Sequence, residues 1–241
     1  MGELKDIIYR RKSVRKYTGS PVDGETVAKI LDFCKQAKPL YPEIKVEAQV
    51  VEKDQVRFYF PWKTPQLIAI FSENKPGYLE NVGFLFQQVE LYLQSIGLGA
   101  CWMGLGKFRK NEVPEADGME FVIFIAFGKP AEPLYRKSSE FNRKPLTEIS
   151  DRDDPRLECA RLAPSSTNSQ PWYFTHQGDT IHAFCCEAGL LRHAILGNMN
   201  RIDMGIALAH LYLENQISFR YFCIEPQDIP KGYRYTGSFT L

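Results

Sequence analysis

The first clear hydrophobic period in the chain lies in D-G-E-T-V-A-K-I-L-D-F-C-K-Q-A-K, residues 23 to 38. Val27, Ile30, Leu31 and Cys34 recur at helical spacing, with acidic residues early and lysines late as the helix dipole favours, so the segment reads as an amphipathic helix. Two strand-like runs follow. K-V-E-A-Q-V-V (45–51) alternates strictly, whereas P-Q-L-I-A-I-F (65–71) is continuously apolar and reads as an inner strand. From Asn81 to Ile96 the chain is helical and apolar on more than one side, through Val82, Leu85, Phe86, Val89, Leu91, Tyr92 and Leu93. Such a helix belongs deep in a core or an interface. Gly97 and Gly99 end it, and F-V-I-F-I-A-F (121–127) predicts a central strand closed by Gly128 and Pro130. Residues 129–154, charged and proline-containing, read as a crossing segment or linker.

The pattern then restarts. L-E-C-A-R-L-A-P (157–164) takes the place of L-D-F-C-K-Q-A-K (31–38), and W-Y-F follows where V-E-A stood, both 126 residues on. H-L-Y-L-E-N (210–215) echoes E-L-Y-L-Q-S (90–95) at the end of a second long helix that opens N-R-I-D-M-G at Asn200, and I-S-F-R-Y-F-C-I (217–224) stands where F-V-I-F-I-A-F stood. Four elements in one order, the aligned ones at shifts of about 120 to 126 residues, point to a diverged internal duplication. The expectation is an α+β fold of two similar halves, 1–150 and 151–241, intertwined about a pseudo-twofold axis with the long apolar helices between them.

Composition narrows the class more than the function. At 241 residues, with 44% hydrophobic and 24% charged residues, the chain can bury a sizeable core. No apolar run approaches the roughly 18 to 20 residues a bilayer requires. The start M-G-E-L-K-D-I-I-Y-R-R carries acidic residues and no apolar stretch, which predicts an intracellular, cytoplasmic protein without membrane attachment. Asp6 stands where a myristoylation start wants Ser or Thr. Cysteines at 34, 101, 159, 185, 186 and 223 have neither C-x-x-C spacing nor the density of a disulfide scaffold, so buried free thiols are expected. Neither they nor His176, His182, His193 and His210 show metal-ligand spacing, and His210, on an apolar helix, reads as a satisfied core residue. Asp203, mid-helix among apolar neighbours, reads as a cap or a paired group.

A net charge of +1 gives no global field for nucleic acid, yet Arg10, Arg11, Lys12, Arg15 and Lys16 form a local basic cluster. In I-Y-R-R-K-S-V-R-K-Y (8–17) a serine among cations offers the charge-assisted donors a phosphate needs; a solvated basic face is the alternative. S-I-G-L-G-A-C-W-M-G-L-G (95–106) lets backbone N–H groups approach a ligand, or is a helix stop and tight turn. It follows a helix rather than a strand, and its spacing is not that of a nucleotide fingerprint. N-R-K-P-L-T-E-I (142–149) is a second small cationic group or part of a linker. F-Y-F-P-W (58–62) reads as core, as a lid, or as a cover for a planar ligand. A polar loop, A-P-S-S-T-N-S-Q-P-W-Y-F (163–174), separates a helix-like from a strand-like segment.

As a set these segments resemble the flavin-dependent nitroreductase family: R-R-K-S-V-R-K-Y its N-terminal R-x-S-x-R, G-L-G-A-C-W-M-G its Gly-rich turn, F-G-K-P-A-E its strand-end G-x-P-x-E, N-R-K-P-L its C-terminal basic pair, and A-P-S-S-T-N-S-Q-P-W-Y-F its Ser-Asn-Gln-Pro-Trp motif. The order departs from the ordinary one, in which that last motif follows the first helix; here K-P-L-Y-P-E-I-K-V-E-A holds its place. Ordinary members are homodimers with FMN at the interface, one protomer giving the basic, Gly-rich and C-terminal residues and the other the Pro-Ser-Ser loop. The resemblance therefore implies a fused pseudo-dimer, a monomer with one complete site. It places the FMN phosphate on Arg11, Lys12, Ser13 and Arg15 with Arg143 and Lys144, the ring along Met103, Gly104 and Leu105 with a backbone N–H at Gly104 serving N5, and Pro164, Ser165, Ser166 and Asn168 against ring and ribityl tail, Gln170 ordering the loop. Phe141 stands where the family often has Lys. The implied activity is electron transfer from NADH or NADPH to a nitroaromatic, quinone or similar small molecule in a ping-pong flavin mechanism that needs no side-chain acid or base; a flavin carrier or sensor without turnover is the alternative.

Overall fold

The computed structural model describes residues 2–58, 64–187, 197–224 and 226–241; residues 59–62 of the aromatic run and His193 lie outside them. After a short α1 (Gly2–Ile8), α2 (Gly24–Gln36) forms as its periodicity predicts, with Asp23 accepting from Thr26 N at its start and Ile30 and Cys34 on the buried face. β1 (Val46–Glu52), β3 (Gln66–Ser72), β6 (Glu120–Gly128) and β4 (Gly99–Met103) make an antiparallel sheet in the order β1-β3-β6-β4. β3 is buried throughout its length because it is flanked on both edges and covered on both faces, which is what its unbroken apolar run requires. A two-residue ladder joins β2 (Val56–Arg57) to β5 (Lys107–Phe108).

The second sheet repeats this topology. β7 (Trp172–Gln177), β8 (Thr180–Cys186), β10 (Tyr233–Thr240) and β9 (Arg220–Phe222) run in the order β7-β8-β10-β9, all antiparallel. In each sheet two paired strands come first, a long helix follows, an edge strand returns, and the last strand inserts beside the second. The segment 217–224 therefore corresponds to edge strand β4 and not to the central β6; the counterpart of β6 is β10. Y-R-Y-T-G-S-F-T carries too few apolar residues to announce a central strand, being buried only at Gly237, Ser238 and Phe239. The Gly-rich stretch also differs from its reading: Gly97, at φ 85, ends the helix, and 99–103 is the strand β4, so the turn at 104–106 follows a strand.

α3 (Tyr78–Ser95) and α6 (Asn198–Glu214) cross in the space between the sheets. A Cβ on Gly83 would strike the carbonyl oxygen of Ile202, and a Cβ on Gly205 that of Glu80, each the residue three before the opposite glycine. The crossing is thus two-fold symmetric at the level of single atoms. Both helices are buried on nearly all sides, and most of their polar groups are partnered, Asn81 Nδ2 being a buried exception: Glu80 pairs with Arg201 and Arg234, and His210 meets Cys159 O through Nδ1 at 2.9 Å. Two further short helices, α4 (Leu146–Ile149) and α5 (Glu158–Arg161), precede the polar loop. Cys34, Cys101, Cys159 and Cys185 are buried free thiols as expected, whereas Cys186 is half-buried and Cys223 exposed. No helix among the described residues is long and apolar enough to cross a membrane.

Where the crossing segment enters the second sheet, Asp154 binds the Arg156 guanidinium at 2.7 Å and His176 Nε2 at 3.0 Å. The Arg156 hydrogen bonds, ahead of that from His176, hold its carboxyl down at about 2. A carboxyl so depressed stabilises the fold above its unfolded value and loses that stabilisation as pH falls from about 4 to about 2, on the order of 2 kcal/mol in all. Urea titrations of the parent and of Asp154→Asn across that range should differ in slope, with the variant flatter; parallel curves would refute the assignment.

Candidate functional site

Four segments distant in sequence meet, with Phe58 and Ile123, at a cavity of about 370 Å3. The N-terminal segment is laid along β4 like an added strand: Ser13 bridges Ala100 in parallel, and Val14 N donates to Ala100 O at 3.0 Å. This brings Ser13 and Arg15 to the cavity wall beside Met103, Gly104 and Leu105 of the turn that follows β4. The lining is continued by Pro164, Ser165, Ser166 and Thr167 of the polar loop and by one face of α6, Met199, Ile202, Asp203 and Ile206, at i, i+3, i+4 and i+7. The wall is mostly apolar with a few polar groups, the usual character of a small-molecule site of this size.

The polar loop is held in an unfavourable backbone conformation by its surroundings. Thr167, Asn168 and Gln170 all have left-handed φ, 52, 58 and 49°. Each such non-glycine residue costs roughly 1 kcal/mol or more and persists only where contacts fix it. Arg143 supplies several: Nη1 donates to Asn168 Oδ1 at 2.6 Å, Nε to Ala163 O at 3.0 Å and Nη2 to Leu162 O at 3.3 Å. Gln170 Oε1 accepts from Lys144 N at 2.8 Å, Gln170 N donates to Ser165 Oγ at 2.9 Å, and Ser166 N donates to Asp203 Oδ2 at 2.9 Å. Gln170 thus orders the loop from within.

At the Ser13 end lies a cluster of guanidinium groups, Arg11 buried and Arg136 and Arg143 half-buried. Arg11, 1% exposed, binds Glu90 through Nε and Nη2 and gives Ser13 Oγ a hydrogen bond of 3.0 Å, while its Nη1 is buried without a partner. Arg136 Nε is likewise buried and unpartnered. Arg136 and Arg143 lie over the ring of Phe141, at 4.9 and 5.7 Å from its centroid, so this position serves as a shared platform for two cations. Burial, then the charges of Arg11 and Arg136, push Arg143 down to about 10; burial and then Arg11 depress Arg136 as well. Crowded like charges with orphaned buried donors are the complement of an anion.

Of the residues singled out in the sequence, Ser13, Arg15, Met103, Gly104, Leu105, Pro164, Ser165 and Ser166 line one cavity, with Arg11 and Arg143 bonded to the segments beside it. Lys12, Lys144 and Asn168 are placed elsewhere. Lys12 Nζ reaches Glu132 at 3.1 Å, and Glu132 also accepts from Arg15 N at 2.8 Å, so the strand-end G-x-P-x-E glutamate fixes the N-terminal segment. Lys144 Nζ turns to Gln170 O at 3.4 Å, and Asn168 faces Arg143. Sequence reasoning missed Arg136, whose only signal was a cation in a charged crossing segment, and the cavity-facing role of Asp203. Burial drives the Asp203 carboxyl up to about 8, against the pull of the Ser166 N–H.

Sheets in this order, crossed helices between them and a cavity walled by both halves define a nitroreductase-like α+β protein. The chain belongs to the family described as "Putative TM nitroreductase", which matches residues 3–215. It is similar in fold to a putative nitroreductase of Thermotoga maritima, with a TM-score of 0.63 at 21% identity over 98% of this chain and 92% of that one. An FMN-dependent nitroreductase of Clostridium difficile matches with a TM-score of 0.43 at 17% identity, over 56% of this chain and 94% of its own. A putative NADH dehydrogenase/NAD(P)H nitroreductase of Parabacteroides distasonis gives 0.47 at 20%, over 61% and 95%. No curated protein matches the chain.

Proposed function

We propose that the protein is an FMN-dependent oxidoreductase with one site per chain, taking electrons from NADH or NADPH and giving them to a nitroaromatic, quinone or similar small acceptor. The observation that carries this reading is the orphaned Arg11 Nη1, on a buried arginine bonded to the cavity-lining Ser13, together with the orphaned Nε of Arg136, which feels the Arg11 charge, in a nitroreductase-family chain. Arg11, Arg136, Arg143 and Ser13 would hold the phosphate, the Met103–Gly104–Leu105 turn would face the ring, and Pro164 to Thr167 would close over it. FMN held there would supply two-electron redox chemistry, which would suit a ping-pong exchange between donor and acceptor. The chain's own part is to bind and to exclude water: Met199 Sδ lies 2.8 Å from where a Cβ on Gly104 would stand, so the turn and α6 meet with little space to spare. The cationic end favours negative charge on whatever binds in the cavity.

Residues 1–150 and 151–241 are read as the two halves of a fused pseudo-dimer, acting as a monomer. Support for one site comes from the corresponding place in the first half. Tyr41, which precedes Thr167 by 126 residues, bonds Tyr221 Oη at 2.7 Å, the rings edge to face at 5.7 Å, and this aromatic pair takes the place of a polar loop.

Purified protein mixed with FMN and freed of excess should show the flavin spectrum at about one equivalent per chain, and should oxidise NADH or NADPH with menadione or nitrofurazone as acceptor. A colourless protein overturns the reading. Flavin bound without turnover would make the chain a carrier, and two equivalents would remove the one-site assignment.

A further inference from the structure

Asn81 and Asp203 hold equivalent places, each two residues before the glycine at which its helix crosses the other. Each ties down the loop that follows a helix of its half, α2 in the first and α5 in the second. Asn81 Oδ1 accepts from Leu40 N and Tyr41 N, both at 2.9 Å. Asp203 Oδ2 accepts from Ser166 N at 2.9 Å, and Ser166 follows Leu40 by 126 residues. The second bond has no counterpart, because Thr167 turns away at φ 52. An amide is therefore enough to anchor such a loop. In the half where the loop lines the cavity, the amide is replaced by a carboxyl group, which lines the cavity too.

Loop anchoring does not explain that replacement, since it puts an ionisable group on an apolar wall between Ile202, Ile206 and Met199. Resting on the function proposed above, we infer that Asp203 is the acceptor-binding residue of the cavity: as the neutral acid it keeps one oxygen on the Ser166 N–H and donates the other, as a hydroxyl, to a carbonyl or nitro oxygen of the electron acceptor. A neutral acid can do this where an ionised one would repel the same oxygen.

The surroundings keep it neutral. No other carboxylate lines the cavity among the described residues, and Arg15, the cation there, belongs to the N-terminal segment and is not among the groups that shift Asp203. From the sheets the nearby groups are thiols, Cys101 and Cys185, which burial pushes up to about 11 and about 12. The charges on the α3 side are self-contained, Glu80 being paired with Arg201 and Arg234. Burial accordingly dominates and drives the Asp203 carboxyl up to about 8, so the donor is present below that pH and lost above it.

Asparagine separates this role from anchoring, because its oxygen can hold Ser166 N while its NH2 imitates the acid's donor at every pH. With menadione as acceptor and flavin-loaded protein, the parent KM should rise about tenfold between pH 7 and pH 9.5 while that of Asp203→Asn stays level; Asp203→Leu should be raised about tenfold throughout. Independently of turnover, infrared difference spectra of the purified protein should show a protonated carboxyl band at pH 6.5 that fades above pH 8 and is missing from Asp203→Asn. Equal pH profiles for parent and Asp203→Asn, absence of the band, or a loss of FMN affinity in place of acceptor affinity would each overturn the inference. Intact band and bound flavin with no NAD(P)H oxidation would instead sink the reductase reading, and the acceptor role with it.

Discussion

Gly205→Ala should destabilise the protein by about 3 kcal/mol or more, although alanine is intrinsically the better helix former by roughly 0.5–1 kcal/mol. The added methyl has nowhere to go. It would fall on the carbonyl oxygen of Glu80 and within 2.8 Å of Phe84 N, backbone atoms of a helix that is itself buried on almost every side. Overpacking against side chains costs about 1–3 kcal/mol because rotamers can adjust; against backbone the two helices must separate. Gly83→Ala meets the mirror-image obstacle at Ile202 and should cost about the same. Both clashes are relieved by one and the same separation, so the double variant should lose clearly less than the sum of the single losses. Guanidinium titrations of the four proteins read this directly. Additive losses, or single losses below about 1 kcal/mol, would mean that α3 and α6 do not meet as closely as described. Because Ile202, Asp203 and Ile206 sit beside Gly205 on the cavity wall, the same variants should also weaken binding in the cavity.

Much of this was legible in the sequence, for reasons that particular elements make plain. β3 and β6 could be placed because an unbroken apolar run has few other homes, and α3 because its apolar residues leave no solvent face. The repeat was legible where side chains do the same work twice, as in the ends of α3 and α6, and misleading at 217–224, where an apolar run forms only an edge strand. β10 escaped because a strand between two others can be specified by its neighbours' edges as well as by its own side chains. The site divides in the same way. Ser13, the Gly-rich turn and the Pro-Ser-Ser loop were visible because short motifs fix backbone shape. Lys12 and Lys144 reach Glu132 and Gln170 and do not line the cavity, because a cation's position in a motif does not say which carboxylate or carbonyl its long side chain will reach. Arg136 was invisible because it reaches the cluster only through the fold, by way of Phe141.

The sharpest consequence concerns Arg11, whose two roles can be pulled apart. Arg11→Ala should cost about 3–5 kcal/mol of stability, because it strands the Glu90 carboxylate, fully buried, with only Gln87 and Gln94 as donors. Replacing both members, Arg11→Met with Glu90→Gln, should recover most of that loss, since the buried charge is then removed together with its partner. What the double variant should not recover is affinity for FMN. Arg136 supplies the control, for it donates to no carboxylate, and Arg136→Ala should change stability little. If its orphaned Nε and that of Arg11 Nη1 await a phosphate, Arg136→Ala should weaken FMN binding roughly tenfold to a hundredfold, the worth of a charge-assisted hydrogen bond, and leave riboflavin, which lacks the phosphate, unaffected. Equal losses for FMN and riboflavin would show instead that Arg136 shapes the cavity without reading charge, and the anion site would then rest on Arg11, Arg143 and Ser13.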